Sequence, residues 1–122
     1  MRLKDKVAII TGAGLGMGRE ASVLFGKEGA SIGIFDLNAD TANETAALVQ
    51  KAGGKAHVIQ GDVSKEADVK RAIDETVKAF GKLHILYANA GVLWKDRDKS
   101  VTETTEENWD KVQAINLKGP FF

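Results

Sequence analysis

Apolar and polar positions follow two periods along the chain, and the switches between them mark an order of strands and helices. Val7 to Ile10 is an unbroken apolar run. Such a run suits a strand buried on both faces, and so a parallel sheet lying between helices. An amphipathic segment follows with Met17, Ala21, Leu24 and Phe25 at helical spacing. Gly29 closes it, a residue able to take the left-handed conformation that ends a helix. Ser31 to Phe35 gives a second strand with Asp36 at its end, and Asn38-Ala39-Asp40 opens a second helix with Ala42, Ala46 and Val49 on one face. After Gly53 and Gly54, Lys55 to Gln60 alternates as a short third strand. Gly61-Asp62-Val63-Ser64 leads into a third helix, for which Ser64 is the expected N-cap. Val69, Ala72, Ile73, Val77 and Phe80 form its apolar stripe, the clearest in the chain. Gly81 closes that helix, and Leu83 to Ala88, apolar but for His84, gives a fourth strand running into Asn89-Ala90-Gly91.

The resulting βαβαβαβ order implies right-handed crossovers and an α/β fold, a parallel sheet covered by helices on both faces. Val92 to Glu103 is polar and irregular and reads as an exposed loop. A last helix begins near Thr104 or Thr105: Thr104 and Glu107 have the spacing of a capping box, and Trp109, Val112, Ile115 and Asn116 share a broad face beyond it. Pro120, Phe121 and Phe122 follow. No linker or repeat interrupts the alternation, so residues 1–122 are expected to form one domain.

Composition narrows the function classes. Apolar residues make up 43% and charged residues 28%, near globular averages. The 17 basic residues balance 17 acidic ones, and without a basic cluster there is little electrostatic reason to bind nucleic acid or an anionic membrane. There is no cysteine, so disulfides and thiolate metal sites are excluded. His57 and His84 lie in separate expected strands and read as structural rather than as metal ligands. No apolar run approaches a membrane span and no signal-peptide pattern precedes the first strand, so a cytoplasmic location is expected. The Asn43-Glu44-Thr45 sequon sits on an expected helix and carries no functional weight.

The candidate chemistry lies at the end of the first strand. Gly12, Gly14, Gly16 and Gly18 fall at alternate positions between that strand and its helix. Glycine permits positive φ and lets a ligand approach the backbone, while the helix start offers unpaired N–H groups and positive dipole charge, together a phosphate site. Packing of helix on strand is the plainer explanation of such glycines. Asp36, at the end of the next strand, is placed to accept hydrogen bonds from ribose hydroxyls, which extends the expectation to a dinucleotide. Its charge would repel a 2′-phosphate, and neither Leu15 nor Leu37 supplies a cation to hold one, so NAD is expected over NADP. Asp62 and Val63 lie on the same edge and suit an adenine frame, although Asp62 suits a turn equally well. A Walker A loop is excluded by the absence of its Gly-Lys-Ser/Thr pattern.

Taken together these segments resemble the short-chain dehydrogenase/reductase family. Thr11-Gly12-Ala13-Gly14-Leu15-Gly16-Met17-Gly18 is similar to its cofactor loop, and Asp62-Val63 to its adenine-side pair. Asn89-Ala90-Gly91 matches most of its Asn-Asn-Ala-Gly stretch, and Asn116-Leu117-Lys118-Gly119 its active-site asparagine segment. The resemblance implies a Rossmann-type sheet in the order 3-2-1-4. Asn89, Ala90 and Gly91 would support it beside the cofactor, and Asn116 would help hold a proton-relay water. Ala88 departs from the pattern, which has asparagine there.

The family's serine and Tyr-x-x-x-Lys pair would lie downstream of Asn116. The only tyrosine, Tyr87, is followed four residues on by Gly91 and is expected to pack within its strand. The chain therefore reads as the amino-terminal, cofactor-binding half of an oxidoreductase acting on alcohols or carbonyls. The alternatives are a stand-alone nucleotide-binding module and, with less support from the loop, an S-adenosylmethionine methyltransferase. An uncovered fourth strand and the Phe121-Phe122 pair suggest a homodimer or higher oligomer.

Overall fold

The computed structural model describes residues 1–122. Four parallel strands form one sheet: β1 (Val7–Thr11), β2 (Ser31–Asp36), β3 (Lys55–Gln60) and β4 (Ile85–Tyr87). Their order is β3-β2-β1-β4, as the family resemblance implies. Ala8 and Ile10 of β1, with Ile32 and Ile34 of β2, bury one face against Ala42, Ala46 and Val49 of α2 (Ala39–Lys51). Ile9, Phe35 and Ile59 bury the other face against Ala72 of α3 (Glu66–Phe80). Period two in the strands and helical spacing in α2 and α3 thus meet in two apolar layers. Burying each of the large side chains stabilises the fold by about 1.5–3 kcal/mol relative to exposure.

The first helix, α1 (Gly16–Lys27), meets its neighbours through a different face from the one its apolar spacing suggests. Gly18, Ser22 and Gly26 are buried, whereas Met17 is 75% and Leu24 57% exposed. The reason is close approach: a Cβ on Gly26 would lie 2.9 Å from Val49 of α2, and Gly54 is also in contact range. The smallest residues set the rotation of this helix, and the larger ones are turned outward. Phe25, half-buried, stacks on Tyr87 with ring centroids 6.5 Å apart, so the tyrosine packs as its place in a strand suggests.

β4 is shorter than the sequence pattern indicates, three residues rather than Leu83 to Ala88. It pairs only with β1, through Ala8 with Ile85, Ile9 with Leu86 and Ile10 with Tyr87. Its other edge has no strand partner. His84 precedes it and has a structural role: its Nδ1 accepts the Val7 N–H at 2.9 Å while its backbone N–H donates to the Val7 carbonyl. His57 lies beside Glu75 of α3, with Nε2 3.3 Å from the carboxylate.

The helix caps also differ in detail. α3 is capped by Lys65 without a side-chain bond, because the Ser64 hydroxyl is drawn to Asp62 Oδ1 at 2.6 Å. The last helix, α4 (Glu106–Gln113), is capped by Thr105, whose Oγ1 accepts the Asn108 N–H. Thr104 instead donates to the Lys99 carbonyl, and Glu107 pairs with Lys111 at 2.6 Å, so no capping box forms. α4 then widens into a π turn (Ala114–Lys118) before a final short turn, α5 (Gly119–Phe121). Pro120 has no N–H to give the carbonyl four residues back, at Asn116, which accounts for the change of helical pitch there. The expected stripe is broken: Trp109 in α4 is 56% exposed, and Asn116 in the π turn faces the loop after β4.

Candidate functional site

The glycine turn between β1 and α1 is a close-packed corner. Gly12 has φ +63°, and a Cβ on it would lie 2.8 Å from Ala90 Cα. A Cβ on Gly18 would overlap the Gly12 carbonyl oxygen and approach Asn89. Gly16 also has positive φ, +53°, but nothing lies within 4 Å of where its Cβ would be. Gly12 is thus required by packing as well as by conformation, Gly18 by packing alone, and Gly16 faces open space. Helix α1 starts with Leu15 at the N-cap and no side-chain cap. The first backbone bond of the turn runs from the Arg19 N–H to the Leu15 carbonyl. The N–H groups of Leu15, Gly16, Met17 and Gly18 have no protein acceptor. Four unpaired donors at a positive helix terminus are the arrangement that suits an anion.

Asp36 sits at the end of β2 beside this turn. Its Oδ2 accepts the Gly14 N–H at 2.8 Å, and its Oδ1 accepts the Asn38 N–H at 2.9 Å. Each carboxylate oxygen retains a lone pair for a further donor. A Cβ on Gly14 would lie 2.9 Å from the Asp36 carboxyl carbon and 2.5 Å from Thr41 Oγ1, so glycine is needed there for contact with the acid itself. Leu15 and Leu37, which flank the acid and the turn, are 62% and 68% exposed. Arg19, in the first turn of α1, reaches back beneath the loop, with its Nε donating to the Gly14 carbonyl at 2.9 Å. Pattern reading missed Arg19; the available signal was its position directly after the last glycine of the turn.

The end of β4 is tied to the same corner. Thr11 Oγ1 accepts the N–H groups of Asn89 and Ala90, both at 3.0 Å, and the Asn89 amide donates to the Thr11 and Gly12 carbonyls. Gly91 and Val92 continue to Asn116. The Asn116 Oδ1 accepts the Val92 N–H at 2.8 Å, and its amide nitrogen donates to the Val92 carbonyl at 2.9 Å. The π turn therefore clips the chain leaving β4.

At the end of β3, Asp62 is a turn acid: its Oδ1 accepts both the N–H and the hydroxyl of Ser64. Its own N–H donates to Asp68, which holds the Asp68 carboxyl below the usual carboxylate range against some desolvation, with Arg71 adding attraction. Val63 packs on the C-terminal segment, since a Cβ on Gly119 would lie 3.2 Å from it. The structure thus gathers Gly12, Gly14, Gly18, Asp36, Asn89 and Ala90 at one corner, by hydrogen bonds and close packing. Asp62 and Val63, on the loop after β3, and Asn116, in the π turn, lie outside it.

Parallel strands with crossover helices, and a glycine turn feeding a helix start beside an acid at the end of the neighbouring strand, define an α/β protein of Rossmann type. Residues 6–122 match the short chain dehydrogenase family, and the chain belongs to it. It is 42% identical over 121 residues to an uncharacterized oxidoreductase of Thermotoga maritima, covering 99% of this chain and 46% of that protein. It is 41% identical to tropinone reductase-like 1 of Erythroxylum coca, covering 98% of this chain and 43% of the relative. With cyclopentanol dehydrogenase of Comamonas testosteroni it shares 34% identity, covering 98% and 47% respectively. The chain therefore spans somewhat under half the length of each of these curated relatives. No helix is long and apolar enough to cross a membrane.

Proposed function

We propose that this chain binds NAD(H) and forms the cofactor-holding part of an oxidoreductase for alcohol or carbonyl substrates. The observation that carries the reading is the pairing of unprotected N–H groups at Leu15 to Gly18 with the half-buried Asp36 carboxylate bonded to Gly14. The first receives a diphosphate and the second accepts ribose hydroxyls. Asp62 and Val63 would frame the adenine, with Leu37 against it. Asn89, Ala90 and Gly91 would support the turn next to the nicotinamide. When bound, the nicotinamide supplies the hydride-transfer chemistry.

The proton side of the reaction has no group among these residues. Tyr87 is stacked on Phe25 within the sheet, and the Asn116 side-chain amide is committed at both ends to Val92. For the 122 residues alone, this favours binding without turnover, the role of a stand-alone nucleotide-binding module.

Titration of the chain with NADH, NADPH and S-adenosylmethionine tests the reading. Saturable NADH binding, tighter than NADPH and not displaced by S-adenosylmethionine, is expected. No binding at millimolar NADH would overturn it, and displacement by S-adenosylmethionine would move the chain to the methyltransferase alternative.

We also expect self-association, because the outer edge of β4 is unpaired, Leu86 is 59% exposed and Phe121 is 80% exposed. Sedimentation velocity at increasing concentration should show a dimer or larger species. A compact monomer throughout would contradict this.

A further inference from the structure

We propose that Arg19 is a positioning residue for the diphosphate, acting by fixing the orientation of the peptide between Gly14 and Leu15. The inference rests on the dinucleotide reading above. Both ends of Gly14 are held: its N–H by Asp36 at 2.8 Å, and its carbonyl by Arg19 Nε at 2.9 Å, with the Thr45 hydroxyl a further donor at 3.2 Å. In a planar trans peptide the carbonyl and the following N–H point in opposite directions. Holding the Gly14 carbonyl inward therefore turns the Leu15 N–H outward, to join the other unpaired donors at the start of α1. If that peptide rotated, a carbonyl oxygen would replace a donor at the anion site and repel a phosphate.

The environment of Arg19 is built to keep it there. The side chain is only 21% exposed although it carries a charge. Its Nε also bonds the Thr45 hydroxyl at 3.0 Å, and its Nη2 bonds the Thr41 carbonyl and Glu44. Thr45 is fully buried. The guanidinium fork thus joins the glycine turn to two successive turns of α2. A lysine ammonium lacks that planar fork and cannot bond the carbonyl and the helix in the same way.

The test compares the chain with Arg19→Gln and Arg19→Lys, titrating NADH, ADP-ribose and adenosine and recording thermal unfolding without ligand. Arg19→Gln should weaken NADH and ADP-ribose about tenfold, the scale of one charge-assisted hydrogen bond, and leave adenosine within about twofold. Arg19→Lys should fall between parent and Arg19→Gln. A role confined to stability would lower the unfolding temperature without changing the ratio of ADP-ribose to adenosine affinity. Unchanged ADP-ribose binding, or equal losses for ADP-ribose and adenosine, would overturn the proposal. Should Arg19→Gln fail to fold, Arg19→Lys decides by the same ratio. A parent chain that binds no NADH would overturn the reading of the whole site, whereas a parent that binds it alongside an equally competent Arg19→Gln would overturn this inference alone.

Discussion

Gly12→Val is expected to destabilise the chain by about 2–5 kcal/mol and to lower its unfolding temperature by roughly 10–20 °C. Two separate costs add. At φ +63° a β-branched residue is held in the left-handed region, worth about 1–2 kcal/mol. The new side chain also begins 2.8 Å from Ala90 Cα, on a backbone that Thr11 and Asn89 hold by hydrogen bonds, so the neighbour cannot give way cheaply. Gly53→Ala is the matching control: it has φ +91° with nothing within 4 Å, and should cost only about 1 kcal/mol. Urea unfolding of both variants separates strain from overlap. Equal losses for the two would mean that β1 and the end of β4 are not packed at Gly12 as described.

Asp36→Asn should change the cofactor preference by about 10- to 100-fold toward NADPH. The parent carboxylate would face a 2′-phosphate, and two unit charges 4 Å apart at the effective dielectric of a protein surface repel by about 4 kcal/mol before salt screening reduces it. Asparagine removes the charge while its oxygen still accepts one of the two N–H groups, from Gly14 or Asn38, that hold the acid in place. NADH binding should weaken as well, since one ribose acceptor becomes a donor. Fluorescence titration of both cofactors at low and high salt provides the measurement, with the parent's preference for NADH shrinking as salt rises. A parent binding NADPH as tightly as NADH would remove the assigned role of Asp36.

Much of the site was legible because it depends on local chain properties. A β-branched run, alternate glycines and an amphipathic segment in immediate succession predict a strand, a turn and a helix start wherever they occur. Asp36 could be placed because the end of a strand is itself a local feature. The rotation of α1 was not legible in the same way. Its apolar residues Met17 and Leu24 form a stripe, but the helix packs on Gly18, Ser22 and Gly26, since contact at the backbone requires the absence of side chains. Arg19 was marked only by its position after the last glycine of the turn: its partners Thr41, Glu44 and Thr45 belong to another helix, and no periodicity connects them.

The sequence by itself determined the order of elements, the parallel α/β class, the glycine turn and the acid that faces it. Those follow from periodicity and from the conformational range of individual residues, which are properties of neighbours along the chain. Only the tertiary structure decided that Asn89 bonds back to Thr11 and Gly12, that Asn116 closes on Val92 through a π turn, and that Arg19 holds the Gly14 carbonyl. Each of these depends on the distance and rotation at which two separately formed elements meet. Close packing fixes that geometry, and no local pattern contains it.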